Sequence, residues 1–370
     1  GANRKTLERI KETGDIFWAQ SDRNWILNGA AVHVSMIGFD ENSEAERELD
    51  GQSVGRIHPD LTALLDLTQA RHLRENRNIA FMGATKGGSF DIPDELARHM
   101  LTARGNPNGR PNSDVIRPWV NAKDITARPR CMWIIDFGAS MSVEDASGYE
   151  VPFEYIEKVV QQTRLSSRTT RSEWWLHERP RPAMRDAVDH LPRLVATPRV
   201  SKHRLFVWIH KDTLPGSATF IFAREDDYFF GVLHSKIHEL WALRQGTQLE
   251  DRPRYTPTTC FDTFPFPWPP GKEPIDDPRA QAIAAAAVDL VEKRDRWLNP
   301  EGASAAELKR RTLTNLYNQR PTWLDLAHKR LDQAVLDAYA WPHDLTDDEI
   351  LEHLLALNLE RGSSDHGDAA

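Results

Sequence analysis

Two stretches of this chain have residue types and spacing suited to a phosphate: the turn Lys86-Gly87-Gly88-Ser89 and the run from Arg164 to Lys211. A Lys-Gly-Gly-Ser turn can aim successive backbone N–H groups at one anion, and the lysine adds charge. Its wider context, Gly83-Ala84-Thr85-Lys86-Gly87-Gly88-Ser89, lacks Walker spacing, and no hydrophobic strand runs straight into it, so a nucleotide loop is not expected. The basic residues of the second stretch are Arg164, Arg168, Arg171, Arg179, Arg181, Arg185, Arg193, Arg199, Lys202, Arg204 and Lys211, against Glu173, Glu178, Asp186 and Asp189. The bias toward arginine favours phosphate and base-edge contacts, because a planar guanidinium meets either with two parallel hydrogen bonds.

Other groupings point to structure rather than chemistry. His234 and His238 have a zinc-compatible i, i+4 spacing, but no third ligand lies nearby and His238 sits among core-like Ile237 and Leu240. Asp136, Glu144 and Asp145 lack a basic or histidine partner at a matching spacing, which favours a structural role. Glu307 and Lys309 form a Glu-x-Lys pair on a predicted surface helix and carry little weight. Cys131 and Cys260 stand far apart and imply neither a disulfide framework nor a cysteine-based metal site, as suits a reducing cytosol.

The elements that must position these residues occupy 370 positions, enough for two or three domains. The net charge of −8 is unevenly spread. Residues 1–76 hold 9 basic and 13 acidic side chains, 77–255 hold 26 and 22, and 256–370 hold 12 and 20, which gives −4, +4 and −8. Only the middle is basic, so any nucleic-acid contact is expected there. No apolar run approaches the length of a membrane span, and no secretory leader opens the chain. Gly1-Ala2 is not an initiator methionine, which suggests a cleaved product or a start inside a longer protein.

Hydrophobic patterning predicts a helix over 3–12 stopped by Gly14, then strands over 15–20 and 30–39 joined by a loop holding Asp22, Asn24, Asn28 and Gly29. This block is expected to complete a sheet whose other strands are missing from the chain. The middle block mixes helices (93–103, 152–162) with strands (131–137, 205–210, 218–222) and ends in one long amphipathic helix over 226–244. Helices follow over 278–298, 305–318, 323–340 and 346–357, the last opened by a Thr346/Glu349 capping box, and a disordered tail is expected over 362–370. Between the last two blocks runs Cys260-Phe-Asp-Thr-Phe-Pro-Phe-Pro-Trp-Pro-Pro270. Proline fixes φ and donates no backbone hydrogen bond, so this segment reads as an extended strap between domains, its aromatics lying flat on a folded surface.

Taken in order, several stretches resemble the back half of adenine-N6 DNA methyltransferases of the MmeI-like type IIL restriction–modification class. They are residues 14–39, 86–90, Arg117-Pro-Trp-Val-Asn-Ala-Lys-Asp124, Trp133-Ile-Ile-Asp-Phe-Gly138, Trp174-Trp175, 228–241 and 255–267. Leu316-Tyr-Asn318, His328, Tyr339-Ala-Trp341 and Leu357-Asn-Leu-Glu-Arg361 are similar to that family's closing helices.

The resemblance implies a mixed α+β chain with three parts: residues 1–76, the end of a class I methyltransferase sheet; 77–268, an α/β target-recognition domain; and 269–370, a C-terminal helical domain. It also implies double-stranded DNA as partner, an upstream catalytic domain on the same polypeptide, no membrane, and a bacterial cytoplasmic setting. The family's S-adenosylmethionine loop and its Asn-Pro-Pro-Tyr/Phe tetrad are absent from this chain, and Asn106-Pro107-Asn108 is not that tetrad. The cofactor is therefore expected on the full-length enzyme and not on these residues, and methyl transfer by them alone is not expected. The residues assigned to DNA are Lys86, Gly87, Gly88, Ser89, Arg168, Arg171, Arg179, Arg181, Arg199, Ser201, Lys202, His203, Arg204 and Lys236. Trp25 takes the place of an aromatic that stacks on an extruded adenine. The alternative is a stand-alone DNA specificity subunit that docks a separate catalytic chain. An enzyme acting on small molecules would need a convergent acid–base set, which is lacking.

Overall fold

The structure is a computed structural model and describes residues 2–27, 30–59, 61, 65–165, 173–249 and 252–364. It divides into two compact units, each assembled from separate stretches of chain. Unit 1 comprises Gly1–Arg77, Ser235–Pro274 and Val335–Ala370; unit 2 comprises Asn78–His234 and Ile275–Ala334. The boundary expected at residue 76 lies one position from a seam, whereas that at 268 falls inside unit 1.

Unit 1 opens with the helix Ala2–Thr13 and a hairpin of β1 (Asp15–Leu27) and β2 (Ala30–Asp40), paired from Asp15↔Asp40 to Leu27↔Ala30. The expected loop is therefore largely strand: the turn-forming Asp22 and Asn24 are carried through by the ladder, with irregularities at Ile16/Trp18 and Gln20/Arg23. Gly14 is required by a close approach, since a Cβ there would lie 1.9 Å from the Asp40 carbonyl oxygen. Strands β3 (Arg47–Leu49) and β4 (Gln52–Val54) complete a sheet of order β2-β1-β3-β4. β3 meets β1 only at Trp18 and Ala19, so beyond that point the hairpin continues with β2 as the sole described partner of β1. Ile16, Ala19 and Ile57 form the small core beneath it.

The rest of unit 1 is built around the proline-rich segment. Phe261, Phe264 and Phe266 are fully buried, so the segment is a core element rather than a surface strap. Its opening residues curl into the short helix Pro257–Cys260. A run with so many prolines has few N–H donors, but each of its carbonyls still needs a partner when buried. Side chains provide them. Asn76 Nδ2 donates to the Phe261 and Phe264 carbonyls (2.9 and 2.7 Å), and Asn358 Nδ2 to that of Thr263 (2.6 Å). Tyr339 donates to Pro265 (2.7 Å), and Arg361 to Phe266 and Pro267 (2.8 and 3.1 Å). The last helix, Asp347–Ser364, runs beyond its expected end and takes in Gly362, at which part of the anticipated tail is helical. The Thr346/Glu349 box opens it (2.7 and 3.3 Å).

Unit 2 holds strands β5 (Ala80–Met82), β6 (Asp91–Ile92), β7 (Ile116–Val120), β8 (Trp133–Ile135), β9 (Arg193–Pro198), β10 (Val207–His210), β11 (Leu214–Pro215) and β12 (Thr219–Phe222). They form two sheets, β10-β9-β12-β5 and β11-β7-β8-β6. The expected long helix over 226–244 is two helices, Asp227–His234 and Lys236–Gln245. Ser235 leaves helical backbone between them (ψ 157°) and caps the second. The break coincides with the seam between the units. Asp227–His234 packs on Pro278–Leu298 at Gly231, where a Cβ would lie 2.7 Å from Ile283 Cγ2. The helix expected over 305–318 is likewise split, into Ala305–Arg310 and Leu313–Gln319.

Asn76→Ala removes the donor to two buried carbonyls. It should lower the unfolding free energy by roughly 1–3 kcal/mol, read as a lower urea midpoint at unchanged slope. A midpoint equal to wild type would show that these bonds do not stabilise unit 1.

Candidate nucleic-acid interface

The Lys86 turn is held from behind. Thr85 and Arg179 exchange backbone hydrogen bonds (3.1 and 3.0 Å), which bring 83–87 beside 178–181. Arg164 then clamps the turn: its guanidinium donates to the Lys86 and Gly87 carbonyls (2.7 and 3.1 Å) and to that of Trp174 (2.9 Å). It also lies over the Phe90 ring at 5.0 Å. Gly87 has φ +65°, and a Cβ there would meet Glu178 Cβ at 2.7 Å, so both backbone and space demand glycine. With its carbonyls drawn inward, the turn leaves the N–H groups of Gly87, Gly88 and Ser89 without an acceptor among the described residues. Gly87 and Ser89 are exposed, and Lys86 pairs with Asp91.

Arg179 is exposed. Arg181, in left-handed backbone (φ 60°) just before the helix Pro182–Val188, donates to the Gly83 carbonyl at 3.3 Å. Burial and the neighbouring Arg179 charge both lower its pKa. Lys86, Arg164, Arg179 and Arg181 thus surround one turn. Arg164 was not singled out in the sequence, where nothing distinguishes a clamping arginine from a solvated one. Arg168 and Arg171 lie outside the described residues.

The second candidate stretch is the loop from β9 to β10. Arg199 is half-buried, and its N–H donates to Ala218 (2.8 Å). Ser201 and Arg204 are placed in the interior, not at a solvent-facing contact. Arg204 donates to the Pro198 carbonyl (2.8 Å) and Ser201 Oγ (2.7 Å), and Ser201 Oγ to the His203 carbonyl (2.6 Å). Both bonds turn the Arg204 guanidinium inward, and it braces the loop. Lys202 and His203 face outward and both donate to Asn318 Oδ1 (2.7 and 2.9 Å). Lys236 belongs to unit 1, where it pairs with Asp347 at 2.5 Å and stays half-exposed. Trp25, also in unit 1, is 50% exposed on the outer part of β1, opposite Val32.

Asp136 acquires the partners its sequence context withheld. Arg185 grips it with two bonds of 2.8 Å, and Arg117 and His177 each lie at 3.6 Å. Burial alone would raise its pKa, but the Arg185, His177 and Arg117 charges outweigh it and hold the carboxyl at about 2. It is a buried structural anion, not an acid–base group. Glu307 closes a capping box with Ser304, and Asp145 lies in a Ser142 N-cap. His234 bonds to Tyr317 (2.8 Å) and His238 to Tyr255 (3.1 Å). Among the described residues no cluster of His, Cys, Asp or Glu could hold a metal ion.

Residues 85–268, which span the clamped turn and the β9–β10 loop, match the family model described as MmeI, target recognition domain. This stretch is similar to MmeI-type target recognition domains. The chain is also 28% identical over 151 residues to DNA methyltransferase A of Bacillus subtilis (strain 168), an alignment covering 40% of this chain and 15% of that protein. Its fold matches the type IIL restriction–modification enzyme MmeI, solved in complex with DNA, with a TM-score of 0.75 at 20% identity, over 97% of this chain and 48% of that one. The chain therefore spans about half of the solved MmeI and a smaller share of the methyltransferase. The α+β character and the MmeI-like fold agree with the expectation from sequence.

The Asp136 ion cluster sets an acid limit on the recognition domain. Because its folded pKa lies below the ordinary 3.8, ionised Asp136 contributes stability above about pH 4 that is lost as pH falls toward 2. The contribution is roughly 2 kcal/mol. Asp136→Asn should cost about 3–5 kcal/mol at neutral pH, since two arginines lose their buried counter-ion, and should flatten stability between pH 4 and 2. Urea midpoints across that range check both; a variant as acid-sensitive as wild type would contradict the assignment.

Proposed function

We propose that this chain is the sequence-specific DNA-recognition portion of a bacterial S-adenosylmethionine-dependent adenine-N6 DNA methyltransferase, serving restriction–modification or phage defence in the cytoplasm. The observation that carries the reading is the turn 86–89, clamped from behind by Arg164 and flanked by Lys86, Arg179 and Arg181, inside a segment matching the MmeI target recognition domain. Exposed N–H groups beside guanidinium groups suit a phosphate, and phosphate contacts set the register of a protein on a duplex. Lys202 and His203 supply a second edge from the β9–β10 loop.

The catalytic part and its cofactor belong to the upstream portion of the same polypeptide. The polar cavity of unit 1 does not fit S-adenosylmethionine: it is walled by Lys11, Asp15, Asn42, Arg47 and Arg56, and Asp15 is already paired with Lys11 and Arg47. It offers no apolar face for an adenine. Trp25 has the exposure needed to stack on a base extruded from the helix.

The test is duplex binding by the 370-residue chain across a salt series. Affinity should be weak and fall with salt, with a log–log slope near −0.9 per phosphate neutralised; Lys86→Gln and Arg179→Gln should each make the slope shallower. In the same titrations Trp25→Ala should leave the slope unchanged, and its melting temperature should stay near wild type, because a half-exposed ring leaves no core cavity. Salt-independent affinity, or no binding at low salt, would contradict the reading, and a core-sized loss of stability in Trp25→Ala would return that ring to the sheet.

A further inference from the structure

We infer that Asn318, on the helix Leu313–Gln319, is a positioning residue for DNA contact: it sets Lys202 and His203 in the orientation in which they meet the duplex. The inference rests on the DNA-binding reading above and goes beyond it, because it gives the closing helices a part in recognition.

The geometry is a continuous chain of bonds within unit 2. Lys202 Nζ and His203 Nε2 both donate to Asn318 Oδ1, at 2.7 and 2.9 Å. An ammonium has three N–H donors, so this bond fixes one and leaves two aimed outward. The Lys202 side chain is exposed, and a free lysine there would carry the full rotamer entropy of its four-carbon stem. Holding it in advance reduces what binding must order.

The residue before Asn318 is anchored in the interior. The hydroxyl of this residue, Tyr317, bridges His234 Nε2 (2.8 Å) and His328 Nε2 (2.9 Å). Arg294, 2% exposed, donates to His234 Nε2 at 3.1 Å. Burial, with Arg320 and Arg294 close by, lowers the His328 pKa to about 3, so His328 stays neutral across the physiological range. His203 also rests against the Tyr317 ring, with centroids 5.8 Å apart. On the other side, the Arg204–Ser201–His203 brace stiffens the loop from within. The loop is thus braced from two sides, and among the described residues the Lys202 ammonium donates its hydrogen bond to Asn318.

A double-mutant cycle on the full chain, with a mixed-sequence duplex as probe, tests this. Asn318→Ala should weaken duplex binding roughly three- to tenfold, and that loss should vanish in a Lys202→Gln/His203→Gln background, because the groups through which it acts are gone. Amide hydrogen exchange over 199–204 should also quicken in Asn318→Ala. A purely structural asparagine would instead give the same loss in both backgrounds. That result, or no loss in Asn318→Ala, overturns the inference while the wild-type chain still binds. If the wild-type chain does not bind the duplex, the DNA reading fails first and the inference falls with it.

Discussion

Unit 1 depends on one constraint: a buried proline-rich segment brings aromatic surface to the core but also brings carbonyls that its own backbone, poor in N–H donors, leaves largely to remote partners. Phe261, Phe264 and Phe266 supply the apolar volume. The carbonyls are met by side chains from far away in sequence, Asn76, Tyr339, Asn358 and Arg361. Those four residues tie the end of the first sequence block and the last helices to a segment near the middle. This is why unit 1 is assembled from three stretches of chain, one of which runs on past Trp268 to Pro274.

The surface proposed to meet DNA follows a related logic with charge in place of apolar area. Each candidate loop is shaped by an arginine whose donors are turned inward on carbonyls: Arg164 behind the Lys86 turn, and Arg204 inside the β9–β10 loop. The arginines that shape loops are therefore distinct from those available to a ligand. In a chain of net charge −8 this matters, because a diffuse positive field is unavailable and attraction must come from a few preset groups. Asp136, sealed under Arg185 and Arg117, keeps neighbouring guanidinium groups in place.

Much of this was legible in the sequence, and the failures have physical causes. Helix Pro278–Leu298 was readable end to end because Asp277 caps it and Pro278 stands at its first position. The Lys86 turn was readable because two consecutive glycines announce unusual backbone. The break at Ser235 was not, since serine is tolerated within helices and prefers their N-caps, and only burial of the two halves in different units decides between them. Strand β1 runs through Asp22 and Asn24 because its hairpin partner supplies a ladder that local turn propensity does not foresee. The proline-rich run was correctly apolar but wrongly placed on a surface, since the partners that let it enter a core are remote in sequence. Likewise, counting arginines located the basic region but gave no sign that Arg204 would be enclosed and Asn318 would reach Lys202.

The central claim is that these residues recognise a particular DNA sequence, beyond holding DNA by charge. The most direct measurement is repeated selection of bound duplexes from a randomised pool by the 370-residue chain, at salt high enough to suppress phosphate-only binding. The account predicts enrichment of one short motif, reduced when Lys202 and His203 are replaced by glutamine. Recovery of an unenriched pool, with binding that disappears as salt rises, would contradict it.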